Sequence, residues 1–298
     1  MPVARFLAAR LCRALAASAL ALVALPAQAA PAWWHVTSGR SEVWIIGAPN
    51  LAPRGFTWDT RTLEQRLNGA SALIIEPQAK GGLQMIGDMF GGLTGLHSPQ
   101  PMESTLPPPL RARFVAIRTS IGQGPGKYAG WKPTAAGVML TQDFLKAQNL
   151  AAGEAAQTVR RLARKAGVHE QPSGTYQGVP VIAAAEQLSP AGQQICLSAS
   201  LHQMELGANH SRALAYDWAR GVIHPNPTDP QDQACLNAMP TLKSLNDRLV
   251  GEEAQAVADA LRRPGKTIAV FDLGATTMPG GVLDRLRARG LSVSAPVQ

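Results

Sequence analysis

The chain has 298 residues, 46% of them hydrophobic and only 16% charged, with 28 Gly and 23 Pro. That much apolar material can bury a large core, which excludes an intrinsically disordered chain. The 28 Lys and Arg against 20 Asp and Glu leave a net charge of +8. Arg5, Arg10 and Arg13 lie at the very start of the chain. The balance that remains is too small by itself to mark a nucleic-acid binder, and suits a protein near an anionic membrane surface.

Residues 1–29 read as an export signal. Arg5, Arg10 and Arg13 are followed by the apolar run Ala14–Leu25, then Pro26 and the small-residue pattern Ala27-Gln28-Ala29. This is the layout of a cleavable leader, with cleavage expected after Ala29. The run is short of the ~20 apolar residues a membrane span needs. No Cys follows it and it holds no consecutive Arg pair, against a lipid anchor and against twin-arginine export. The expected product is one domain over residues 30–298, periplasmic or secreted and free of membrane spans. Cys12 leaves with the leader, and Cys196 and Cys235 remain. An oxidising compartment predicts that they are bridged, the alternative being two separate buried thiols. A bridge would close a loop of about 38 residues and add about 3–4 kcal/mol by the chain-entropy model.

From the start of that domain, Trp33-Trp34-His35-Val36 and Val43-Trp44-Ile45-Ile46 flank a Ser38-Gly39-Arg40 turn and predict a hairpin. A helix is expected over Trp58–Leu67, capped by Thr57. Ala72-Leu73-Ile74-Ile75 reads as a buried strand delivering Glu76 at its carboxyl end. Residues 80–100, rich in Gly and Met, read as a loop or helical flap. Helices are predicted over Leu110–Ile121, Lys132–Gln148 and Gly153–Lys165. A linker follows at 170–178, then a short strand Val179–Ile182. A long helical stretch over Pro190–Gly221 is expected to break near Gly207. After a Pro/Asp loop over His224–Gln233 comes a helix from Met239 to Arg263. The end is read as strand Thr267–Phe271, turn Gly274–Thr277, helix Gly281–Arg289 and strand Leu291–Ser294. Strand–helix–strand units at both ends with helices between them predict one α/β domain: a sheet with flanking helices and a helical insertion.

Two strands end alike, Val43–Gly47-Ala48-Pro49-Asn50 and Ala269–Gly274-Ala275-Thr276-Thr277. A Gly at a strand end admits close approach of another backbone or a ligand. The opening Pro31-Ala32-Trp33-Trp34-His35-Val36, the strand ending in Glu76, and the closing Gly274–Leu283 with Leu286, Gly290, Leu291 and Val293 resemble the TraB/GumN family, which includes the Tiki-type peptidases. Trp131-Lys132-Pro133, Pro180–Gln187 with Glu186, and Tyr216–Gly221 resemble weaker family blocks. The resemblance covers most of residues 31–295. It implies an α/β fold and a metal-dependent hydrolytic site built from two Gly-x-x-His motifs and a Glu.

Here the fourth motif positions carry Asn50 and Thr277, and only Glu76 remains. A neutral amide and an aliphatic hydroxyl are poor substitutes for imidazole, so the resemblance implies a dismantled metal site. His202, Glu205 and His210 spread over an arc of about 140° on a helix, a weak ligand geometry. His35, His97, His169 and His224 are isolated. Gly265-Lys266-Thr267 lacks the earlier Gly of a phosphate loop, having Ala260 there. Asp272–Thr276 resembles the phosphate loop of sugar kinases, but an exported protein meets no ATP. Gly122-x-Gly124-x-Gly126 follows no strand, and no Gly-x-Ser-x-Gly elbow is present.

Two surface features remain. The Met-rich patch Met85–Phe90 reads as packing beneath a loop, or as a ligand surface. The basic face of Arg160, Arg161, Arg164 and Lys165 reads as solvated, or as a peripheral contact with an anionic membrane.

The expectation is therefore a TraB/GumN-like protein without cofactor or metal. It would bind a peptide, glycan or protein ligand in a cleft lined by Asn50, Glu76 and Thr277, and no nucleic acid. The alternatives keep an enzyme. In one, Glu76 is general base and Asn50 the oxyanion donor of a metal-free hydrolase. In the other, a metal is retained through the His202 region.

Overall fold

A computed structural model describes residues 30–80, 95–224 and 229–296. The expected export signal, 1–29, and the Met-rich patch, 85–90, lie outside the described residues.

The first part of the chain holds β1 (Trp33–Ser38), β2 (Ser41–Ala48), β3 (Leu51–Pro53), α1 (Arg61–Leu67), β4 (Ala70–Ile75) and β5 (Gln78–Ala79). Next come α2 (Pro108–Ser120), α3 (Pro133–Ala147), β6 (Leu150–Ala152), α4 (Glu154–Lys165), β7 (His169–Pro172), β8 (Thr175–Tyr176) and α5 (Val179–Glu186). The remainder is α6 (Pro190–Glu205), α7 (Ala208–Ala219), α8 (Pro230–Ala238), α9 (Pro240–Ala260), β9 (Gly265–Asp272), α10 (Leu273–Thr277), α11 (Val282–Ala288) and β10 (Ser292–Val293).

The main sheet runs β10-β1-β2-β9-β4-β7. β1 and β2 form the predicted hairpin, with Gly39 at φ +59° supplying the left-handed turn residue. β2, β9, β4 and β7 are parallel neighbours, so their carboxyl ends share one edge. Runs such as Leu73-Ile74-Ile75 have no polar face because both sides of a parallel sheet are covered. Leu73 and Ile75 pack with Leu63 and Leu67 of α1, Val159 and Ala163 of α4, and Trp218 of α7. Ile74 points the other way, to Val250, Ala254 and Val257 of α9 and Leu283 and Leu286 of α11. A third core, with Phe114 of α2, Leu140 of α3 and Leu197 and Leu201 of α6, belongs to the helical insertion. This is the expected mixed α/β architecture.

Several local expectations change. Residues 170–178 are no linker: β7 pairs with β4 from Ala72↔His169 to Ile75↔Pro172, and β8 pairs with β5. β7 shows no apolar alternation because it is an edge strand, held by backbone bonds. The segment 179–182 is helical, not a strand: Pro180 suits the first turn, and Ala183-Ala184-Ala185 are strong helix formers. Residues 274–277 are a short helix, because Asp272 caps it by accepting from the Ala275 N–H at 2.9 Å. The expected Pro/Asp loop ends early, since Asp229 caps α8 through the Gln231 and Asp232 N–H groups. Thr57 caps nothing; α1 begins at Arg61, whose N–H donates to Asp59.

Gly207, at φ +86°, breaks the long helix where expected. Cys196 of α6 and Cys235 of α8 are bridged. Among the described residues, no helix is long and apolar enough to cross a membrane.

Candidate functional site at the carboxyl end of the sheet

The three expected site residues follow three neighbouring parallel strands. Asn50 lies two residues beyond β2, Glu76 directly beyond β4, and Thr277 in α10 after β9. The register Ala48↔Asp272 and Ile75↔Val270 puts β9 between the other two, so the late strand joins the two early ones. Close approach at the end of β2 needs Gly47. A Cβ there would stand 2.8 Å from the Leu273 side chain and 3.1 Å from its Cα. The Trp218 indole N–H donates to the Gly47 carbonyl at 2.6 Å and seats α7 against the same strand end.

The three side chains have different freedom. Asn50 is exposed, while its carbonyl accepts from the Gly153 N–H at 2.8 Å. The Thr277 hydroxyl donates to the Leu273 carbonyl at 2.8 Å, inside its own helix. Glu76 keeps solvent-accessible surface although protein atoms crowd it. Burial, then the Asp272 carboxylate, push its carboxyl up from the ordinary value, against the Asp272 backbone N–H and Arg160.

Two further acids were missed in the sequence. Asp272 was noticed only as part of a doubtful phosphate loop. It ends β9 and caps α10, and burial raises its carboxyl against the Ala275 and Gly274 N–H groups that lower it. Glu253 lies on α9 and is 4% exposed. Burial, with the Glu76 and Asp272 carboxylates adding to it, pushes Glu253 up to about 8. One of its oxygens, Oε2, is buried without a hydrogen-bond partner. The signal was present: Val250, Glu253, Ala254 and Val257 share the helical spacing of one buried face, and a Glu on such a face is out of place.

A family-type transition metal does not fit this donor set. Asn50 offers a neutral amide, and the Thr277 hydroxyl is already engaged with Leu273, so neither is a strong transition-metal ligand. Among the described residues, no group of three or more His, Cys, Asp or Glu side chains is arranged to hold a metal ion. The His202 cluster does not assemble either. His202 pairs with Asp229 at 3.1 Å, and Glu205 is gripped by Arg113 at 2.7 and 2.8 Å. His210 is exposed. On the basic face, Arg160 and Arg164 both bond Glu170 at 2.7 Å, which leaves Arg161 and Lys165 outside that pairing.

A cleft of about 540 Å³ runs along the same face of the sheet, between β4, β7 and α9. Its wall includes Ala72 and Ile74 of β4, Ser173 beyond β7, and Glu252 of α9. Period-two alternation puts Glu76 next in the row Ala72–Ile74–Glu76.

No curated protein and no solved structure matches the chain. A comparison with protein families matches residues 32–295 to the TraB/PrgY/gumN family. Both motif-bearing strand ends and the whole six-stranded sheet fall within that match, and the chain belongs to the TraB/PrgY/gumN family.

Proposed function

We propose that this is an exported, periplasmic or secreted member of the family that binds a peptide, glycan or protein ligand at the carboxyl end of its sheet, without metal-dependent cleavage. The observation that carries this reading is the donor chemistry at the two motif positions after β2 and β9. An exposed amide, Asn50, and a hydroxyl spent within its helix, Thr277, suit hydrogen bonding and not metal ligation. The bridge between Cys196 and Cys235 supports an oxidising compartment. The test is metal analysis of the purified chain, followed by binding and turnover assays on peptide, ester and glycan libraries. Binding without turnover is expected; stoichiometric zinc, manganese or cobalt held by the chain overturns the reading.

One observation favours a second reading, a metal-free hydrolase. Burial and the Asp272 carboxylate push the Glu76 carboxyl up from its ordinary value, the direction a general base operating near neutral pH requires. Asn50 would then serve as oxyanion donor. Turnover that disappears in Glu76→Gln selects this reading.

A further inference from the structure

The edge of the sheet opposite the candidate site, where the parallel strands begin, is basic. Helices α1, α4, α9 and α11 finish there, each leading into a strand, and the β1–β2 hairpin turns there. The register fixes this: Ser38 pairs with Ser41, Ser41 with Gly265 at the start of β9, Ala70 with Lys266, and Thr37 with Ser292 at the start of β10. The connections on this edge are residues 39–40, 68–69, 166–168, 261–264 and 289–291. They hold Arg40, Arg262, Arg263 and Arg289, and no Asp or Glu. Lys165 adds a cation at the last residue of α4. Two bonds join neighbouring connections: the Ser41 hydroxyl donates to the Arg263 carbonyl at 2.7 Å, and the Gly265 N–H to the Arg40 carbonyl at 3.3 Å. Arg40 and Arg263 therefore stand on one fixed stretch of backbone.

Arg40, Lys165, Arg263 and Arg289 are exposed, and among the described residues none of them forms an ion pair. Arg262 has Asp259 at 3.3 Å, but with 74% of its side chain exposed that pair is weak. The acids on the strands that start here are engaged elsewhere, Glu42 with His35 and Glu170 with Arg160 and Arg164. A cation near a helix C-terminus complements the unpaired carbonyls, an effect confined to about the last turn. That accounts for Lys165 and Arg289. It does not account for Arg40, in a turn between two strands, or for Arg263, beyond the end of α9. Strands lie about 5 Å apart. Adjoining connections thus fall within a Debye length of about 8 Å at physiological salt, and their fields add.

We propose that this amino edge of the sheet docks on an anionic phospholipid surface through Arg40, Lys165, Arg263 and Arg289. The opposite edge, with Asn50 and Glu76, then faces away from the membrane and stays open to ligand. The proposal does not rest on ligand binding at that end. Lipid is favoured over nucleic acid by the export reading and by the connections themselves, which carry no aromatic residue on which a base could stack.

The test is co-flotation of the whole chain with vesicles of phosphatidylcholine alone, and of phosphatidylcholine with an equal part of phosphatidylglycerol, at about 0.1 M salt. Two triple variants lose the same charge. One combines Arg40→Gln, Arg263→Gln and Arg289→Gln at the edge; the other combines Arg54→Gln, Lys146→Gln and Lys243→Gln at exposed positions elsewhere. Residues 1–29 are common to all three proteins, so their share cancels. A cation held near an anionic surface contributes about fivefold to partitioning. The edge triple is therefore expected to lose roughly 30–100-fold of the anionic preference, and the other triple less than about threefold. Circular dichroism checks that each triple folds; the single edge variants, each expected to lose about fivefold, replace a triple that does not. The proposal is overturned if the wild-type chain shows no preference for the anionic vesicles, if both triples lose it equally, or if the edge triple keeps it. Tighter binding of duplex DNA than of anionic vesicles assigns the edge to nucleic acid and overturns it as well.

Discussion

The indole N–H of Trp218 reaches the backbone carbonyl of Gly47 at 2.6 Å in a fully buried setting. Helix α7 is thereby tied to the last residues of β2, just before the chain turns through Asn50 into β3. The bond satisfies a carbonyl at the strand end, and Phe56 and Trp58 pack around the same indole at 6.3 and 5.1 Å. Trp218→Phe keeps most of the ring burial and removes the donor. Leaving a buried carbonyl unpaired should cost about 1–3 kcal/mol, measured as a lower denaturant midpoint with an unchanged slope. An unaltered midpoint would show that water replaces the indole.

Glu253 makes the stability of the domain depend on pH in an unusual sense. Its folded value, about 8, lies above the ordinary value of 4.5. The unfolded chain therefore releases this proton first, and stability falls as pH rises from about 4.5 to about 8. Glu76 and Asp272 are shifted in the same direction and add to the loss. Glu253→Gln holds the neutral shape at every pH. It should leave stability near pH 4 almost unchanged and raise it at pH 8 by roughly 3–5 kcal/mol. Urea titrations across this range decide the matter, and parallel curves for the two proteins would contradict it.

Gly281 is fixed by its neighbours' carbonyls. A Cβ at this position would stand 2.4 Å from the Ala275 oxygen, 2.8 Å from that of Met278 and 3.2 Å from that of Thr276. These are backbone atoms of α10 and the turn after it, with little room to yield. Gly281→Ala should destabilise by roughly 1–3 kcal/mol and displace α10, which carries Thr277. Gly290→Ala, where φ is +78° and the surrounding space is open, separates backbone strain from overpacking. A thermal shift confined to Gly290→Ala would assign the constraint wrongly.

The bridge between Cys196 and Cys235 ties α6 to α8 and involves no strand of the main sheet. Replacing both by Ala should lower stability by about 2–4 kcal/mol. Binding at saturating ligand should persist, because β2, β9 and β4 do not depend on the bridge. Loss of binding in a still-folded variant would place the insertion in the binding site.

Local pattern was sufficient for what depends on near neighbours. The β1–β2 hairpin, the run Leu73–Ile75 ending in Glu76, the strand up to Phe271 and the break at Gly207 all follow from periodicity, apolar runs and a glycine. Export chemistry likewise suggested pairing Cys196 with Cys235. Polar β7 was lost because an edge strand needs only backbone partners, and α5 was misread because Val and Ile at its start masked its alanines. Neighbourhood across the sheet was a different matter. The insertion of β9 between β2 and β4 sets Asp272 beside Glu76, and the packing of α9 over Ile74 and Phe271 brings Glu253 beneath them. Such meetings join residues far apart in the chain, and no local period records them. The chain's residues alone determined which acids and amides exist and which strand ends carry them. The tertiary structure decided which of those groups become neighbours, because the strand order and the packing of α9 are set by contacts between residues far apart in the chain.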